Sequence, residues 1–308
     1  MNIDEKTLAR ILFQLKVLSS NGQAYEDLFV NVMRRESSDF APVKPQGIFG
    51  DRKNDGYNRK RGAYYQVFAP EDPKLKQQVA VKKLKDDFAG LKAYWDTVTP
   101  VREFHFVFND KYKGAFPTME ADLADIKKEH HLSDCSSFLA QHLEDRLMSL
   151  PDDQIQAVVG FIPDPSKIQM LDYSIVNDVI NHVMLYKGGI NTAQIFSVPD
   201  FDEKIQFNGL SPRVGALLNS AAYQAGILDE YFALNSEFTK QSLRDVLSNM
   251  YQSALAKPLP IISSNKSDLV FFDILDGVAP DQTQAVRNAA LVVLAYFFES
   301  CDIFEDPT

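Results

Sequence analysis

Apolar residues at Leu8, Ile11, Leu12, Leu15 and Leu18 recur three and four positions apart, which predicts an amphipathic helix over residues 4–18. Ser19-Ser20-Asn21-Gly22 breaks it, and Leu28 and Val32 mark the inward face of a second helix over residues 23–35. The period then changes. Residues 40–49, cut by Pro42 and Pro45, predict an irregular edge segment. A glycine-bounded acidic turn follows, and the β-rich run Ala63–Ala69 predicts a strand that Pro70 and Pro73 terminate. Val79, Leu84, Phe88, Leu91 and Trp95 give one apolar face to a long helix over residues 75–95. Glu103–Phe108 predicts a buried strand closed by the turn Asn109-Asp110-Lys111. A helix over 117–129, a short strand over 136–140 and helix over 142–160, interrupted at Pro151, complete the half. This alternation predicts an α/β domain over residues 1–160, a mixed sheet flanked by helices.

Residues 161–166, with two prolines, are read as the linker, and beyond them strand signals thin out. Helical spacing runs over 170–186, 211–224, 239–254, 268–276 and 280–299, while 194–210 is the most strand-like piece. Residues 161–308 are therefore expected to form a mostly α-helical domain. Charge divides the same way: residues 1–150 hold 23 basic and 22 acidic side chains, leaving 9 and 20 in residues 151–308. The even balance of the first part admits a polyanionic partner, and the acidic second part repels a phosphate backbone and favours a protein partner.

Several classes are set aside by what the chain lacks. No apolar run approaches the roughly 20 residues of a membrane span, and the N-terminus has no signal pattern, so the expected location is the cytoplasm, without membrane contact. Cys135 and Cys301 are far apart and have no partners at ligand spacing, which fits reduced thiols. Neither glycine-rich phosphate-binding signature of ATPases and dinucleotide enzymes occurs. The five histidines form no evident triad with serine or cysteine; His105 alternates within an apolar strand and is read as a satisfied core residue.

One stretch carries a chemical proposal. Asp51 and Asp55 sit in the turn before the Ala63–Ala69 strand, whose middle holds Gln66, and Glu26 stands in the first turn of the second helix. Carboxylate and amide oxygens facing each other across a sheet edge, completed by water, are what hard divalent cations such as Mg²⁺ take. The same turn residues are also ordinary hairpin chemistry, and an acidic residue in a first helical turn is favoured by the helix dipole alone. Arg52, Lys53, Arg59, Lys60 and Arg61 crowd this turn, with Lys82, Lys83 and Lys85 beyond it, either to neutralise phosphates or as a solvated rim.

Taken together, Glu26, GDRKNDGY, YYQVFAP and FHFVFNDKYKG make the first half resemble the PD-(D/E)XK nuclease superfamily, in the branch where glutamine replaces one acid. KIQFNGLSP and the ending AYFFESCDIFEDP resemble the C-terminal region of proteins in bacterial ABC-three-component defence systems, the group that includes Lamassu. The resemblance implies a restriction-endonuclease-like domain with Asp55, Gln66 and Glu26 as metal ligands and catalytic residues, and with Mg²⁺ or Mn²⁺ as cofactor. It implies a DNA endonuclease effector acting on double-stranded DNA, partnered by an SMC-like ABC ATPase and an accessory subunit, and working as a homo-oligomer. The family pattern places a lysine two residues after Gln66, where this chain has Phe68; Lys53, Lys60, Lys82 and Lys83 are the candidates to replace it. The competing expectation is a binding or adaptor subunit that keeps the nuclease fold without its chemistry. A third is a structural adaptor that touches no nucleic acid.

Overall fold

A computed structural model describes residues 1, 3–47, 50–160, 162, 173–186, 201–234, 237–257, 265–300 and 303–307. The chain divides into two compact units, Leu12–Val159 with Met1, and Gly160–Thr308 with Asn2–Ile11. The expected linker at residues 161–166 lies outside the described residues except Ile162.

In the first unit the elements follow as α1 (Ile3–Ser19, whose opening turns group with the second unit), α2 (Gln23–Glu36), β1 (Phe40–Pro42), β2 (Gly56–Asn58) and β3 (Ala63–Phe68). They continue as α3 (Gln77–Trp95), β4 (Glu103–Phe108), α4 (Pro117–Glu129), β5 (Asp134–Leu139), α5 (Ala140–Met148) and α6 (Asp152–Val159). The five strands form one mixed sheet in chain order: β1, β2 and β3 are antiparallel, and β3, β4 and β5 are parallel. β2 and β3 are joined by a short turn, in which Gly62 has φ 67° and a Cβ would come within 2.6 Å of the Pro100 carbonyl, whereas β1 and β2 are joined by the longer segment 43–55. Each parallel pairing needs a crossover, and α3 and α4 supply them.

Both sheet faces are covered, which is why β3 and β4 read as nearly continuous apolar runs rather than alternating ones. On one face Tyr64, Phe104, Phe106 and Phe108 pack with Leu84, Phe88 and Leu91 of α3 and Leu123 of α4. On the other, Phe29 of α2 lies against Phe40, Tyr65 and Phe138 at centroid distances of 5.6–5.9 Å. The turn after β4 is a structural fastening. Asn109 Nδ2 donates to the Val17 and Ser20 carbonyls, and Lys111 Nζ donates to the Leu18 carbonyl, so the open end of α1 is capped from across the unit.

The second unit is helical: α7 (Tyr173–Met184), α8 (Phe201–Phe207), α9 (Pro212–Ala222), α10 (Gly226–Leu234), α11 (Glu237–Ala256), α12 (Lys266–Val278) and α13 (Gln284–Glu299). The strand-like expectation for 194–210 is corrected where the structure describes it. Residues 201–207 are α8, because Ile205 and Lys204 are the buried positions of a helical turn rather than alternate positions of a strand. Every residue of α13 from Val286 to Phe298 is buried, and Ile303 and Phe304 join that core. No described helix is long and apolar enough to cross a membrane.

Candidate functional site

Asp55 stands one residue before β2 and continues its pairing, donating its N–H to the Tyr65 carbonyl at 2.9 Å. Since Gly56 pairs with Tyr65, the register sets Asp55 opposite Gln66 on the same face. The side chains meet: Gln66 Nε2 donates to Asp55 Oδ2 at 2.9 Å, and the Val67 N–H donates to the same oxygen at 2.5 Å. Both residues are buried, Asp55 at 3% and Gln66 at 4% exposure.

Burial dominates the electrostatics of this pair. Burial pushes the Asp55 carboxyl up from 3.8 to about 7, against the Val67 hydrogen bond, and Glu26 and Asp51 push it further up while Lys83 pulls it down. Gln66 Oε1 is buried and accepts no hydrogen bond, a costly condition for an amide oxygen. Asn54 Nδ2, next to Asp55, is likewise buried and donates to nothing.

Glu26 lies in the first turn of α2, half-buried, with its carboxyl raised mainly by burial. Its charge bears on Asp55, although among the described residues no group of three His, Cys, Asp or Glu side chains converges as a metal cluster would. Asp51 serves its own loop, accepting from the Lys53 N–H at 2.7 Å. That loop carries Arg52 and Lys53 at φ 58° and 64°.

The surrounding basic residues are largely spoken for. Lys60 pairs with Asp39, Arg61 with Glu103, Lys85 with Asp122, and both Lys53 and Lys83 with Asp87. His105 is buried at 8% exposure, stacked on Tyr65, with Nδ1 3.0 Å from Ser136 Oγ, as a satisfied core histidine would be. Asp87 was missed in the sequence. It lies three residues after Leu84 and four before Leu91, among the buried positions of α3, and there it pairs with Lys53 and Lys83.

In the second unit the residues of KIQFNGLSP close on those of the chain's ending. Lys204, 1% exposed, donates to the Phe298 carbonyl at 2.9 Å and pairs with Asp306 at 3.2 Å. Asn208 both donates to the Glu305 carbonyl and accepts from the Glu305 N–H. The Ser211 N–H is received by Asp268 at 2.9 Å. These residues form a structural clasp around α8 and the tail.

The protein is thus an α/β unit bearing a buried carboxylate–amide pair between β2 and the central strand β3, joined in one chain to a mostly helical unit. Residues 174–305 match the family described as C-terminal domain 10 of the ABC-three component (ABC-3C) systems. The match lies within the second unit, spans less than half of the chain and supports its membership in such systems. No curated protein and no solved structure matches the chain.

Proposed function

We propose that the α/β unit is a metal-dependent DNA endonuclease of the restriction-endonuclease-like type, the effector of an ABC-three-component defence complex. The observation that carries this reading is the pair between the start of β2 and the central strand β3. A buried carboxylate raised to about 7 beside an amide oxygen with no donor is a set of ligands short of one cation. The donor set fits Mg²⁺ or Mn²⁺: Asp55 and Gln66 would hold the ion directly, and Glu26 would support it through water. Such an ion would activate a water for attack on a phosphodiester and stabilise the leaving oxygen. The chain's own part is orientation, since Val67 N–H and Gln66 Nε2 fix one Asp55 oxygen and leave the other to face the ligand.

Support for the nuclease type comes from the order of elements, a helix followed by three antiparallel strands, a crossover helix and a parallel strand, with Asp55 just before the second strand and Gln66 within the third. The family match over residues 174–305 supports placing the chain in an ABC-three-component system; in our reading its partners there are an SMC-like ABC ATPase of the Lamassu kind and an accessory subunit, with the acidic helical unit docking. Double-stranded DNA is the substrate, and the protein self-associates in the cytoplasm. A specific observation favours a second reading, a nuclease-fold binding subunit: no third carboxylate converges on Asp55 among the described residues.

The deciding experiment is cleavage of plasmid and linear duplex DNA with Mg²⁺ or Mn²⁺, with and without the neighbouring ATPase. Wild type is expected to cut, and Asp55→Ala and Gln66→Ala to lose roughly 10²–10³-fold in rate or more. DNA binding without cutting under every condition would replace the endonuclease with the binding subunit.

A further inference from the structure

The helical unit carries a cleft that its own core leaves open. α11 and α12 pack side by side, and with Tyr186 just beyond α7 they enclose about 350 Å³, within the size range of sites that bury the apolar part of a ligand. Val246, Met250, Ser253 and Lys257 lie four, three and four residues apart, so one stripe of α11 forms a wall, and Asp273, Ile274 and Gly277 of α12 face it. The floor is apolar: Val246 and Ile274 are buried and Met250 is half-buried, whereas Ser253 and Lys257 stand exposed at the rim. Gly277 shapes that floor. A Cβ on it would come within 2.6 Å of Met250 Cε, and its carbonyl accepts from His182 Nε2 of α7 at 3.2 Å. Methionine is pliable enough to follow the side chains of a visitor.

Charge says what kind of visitor fits. Lys257 brings a positive charge to the rim, but both oxygens of Asp273 hold it, at 2.7 and 2.6 Å. Asp245, two turns before Ser253, and Asp276, one turn after Asp273 with its side chain 59% exposed, add negative charge on either side. Asp276 takes its counter-ion, Arg287, from the interior rather than from the surface. The wider field is acidic too, since residues 151–308 hold 20 acidic and 9 basic side chains. An apolar trough bordered by carboxylates suits a helix whose aliphatic stripe is flanked by lysine or arginine. The cleft lies wholly within residues 174–305, the part that matches the C-terminal domain of ABC-three-component systems, so a component of such a system is the visitor to expect.

We infer that the cleft between α11 and α12 is a docking groove for a basic amphipathic helix supplied by another component of the system. The inference rests on the complex reading above and is independent of the nuclease one. The visiting helix sets its aliphatic side chains on Val246, Met250 and Ile274 and aims its lysine or arginine side chains at Asp245 and Asp276.

The test titrates the full chain by calorimetry against the neighbouring ATPase and against the accessory subunit, and repeats the mixing with a benzophenone photo-cross-linker in place of Ser253. Wild type should bind one of the two, more weakly as salt rises. Ser253→Trp, which fills the cleft, and Asp245→Lys, which reverses a flanking charge, should each raise Kd by about tenfold or more. Gly277→Ala puts a better helix former at that position and drives Met250 into the cleft, so Kd should rise by about fivefold while the fold holds. Unfolding midpoints in urea check that each variant is folded. The cross-link from position 253 should land on a segment of the bound subunit where lysine or arginine flanks aliphatic residues four apart. Wild-type affinity in Ser253→Trp or in Asp245→Lys, a cross-link to an acidic segment, or a cross-link to a second copy of this chain overturns the groove and leaves the complex standing. Failure of wild type to bind either subunit sinks the complex reading and the groove with it, whatever the DNA cleavage assay shows.

Discussion

Replacing Asp55 with asparagine should make the protein more stable at pH 8 while removing the proposed metal ligand. The carboxylate is 3% exposed and burial raises it from 3.8 to about 7. Between those two values the folded protein binds more protons than the unfolded chain, so stability falls as pH rises through that window and stays low above it. A difference of about three units corresponds to about 4 kcal/mol at most, since each unit is worth about 1.4 kcal/mol. Asparagine keeps the shape and an oxygen to accept from Val67 N–H, and it carries no charge to desolvate. Allowing for relaxation around the site, a gain of about 2 kcal/mol at pH 8 is expected, or roughly 4–8 °C in Tm for a unit of this size. At pH 4 the two proteins should unfold together. The assay is thermal and urea unfolding from pH 4 to pH 9, repeated with Mg²⁺. Mg²⁺ at about 100 times its Kd should add about 2.7 kcal/mol to wild type and nothing to the variant. A variant less stable than wild type at pH 8, or a difference that does not vary with pH, would refute the argument that Asp55 is a carboxylate awaiting a cation.

Two further outcomes follow from the described geometry. Lys204→Met should destabilise the helical unit by about 2–4 kcal/mol in urea unfolding, because it leaves the Phe298 carbonyl without its buried donor and Asp306 without its ion-pair partner. Cys135 is buried and its thiol is pushed up to about 12 by desolvation, so peptide-resolved alkylation at pH 8 should modify it at least about a hundredfold more slowly in the folded protein than in urea.

Hydrophobic periodicity alone determined most of the elements. The stripes of α1, α2 and α3 and the apolar run of β4 are set by local spacing, and a helix or strand needs only its own residues to show which side it buries. Proline and glycine likewise marked where β3 ends and where α5 gives way to α6. What failed locally was short or depended on a distant partner. β2 is three residues long and exists because β1 and β3 flank it, and α8 is helical because Lys204 and Ile205 bury together beneath α13.

The candidate site divides along the same line. Sequence named Glu26, Asp55 and Gln66 by residue type and by resemblance. Only the antiparallel register of β2 on β3 put Gln66 Nε2 on Asp55 and left Oε1 without a donor, since a pairing shifted by one residue would turn Gln66 to the opposite face. Residue type also offered four lysines in place of Phe68, with nothing to choose among them. The folded chain put two of them, Lys53 and Lys83, on one buried carboxylate, Asp87. Composition states which charges a chain possesses. Their pKa values, their partners and their freedom to move depend on burial and distance, and those belong to the folded chain.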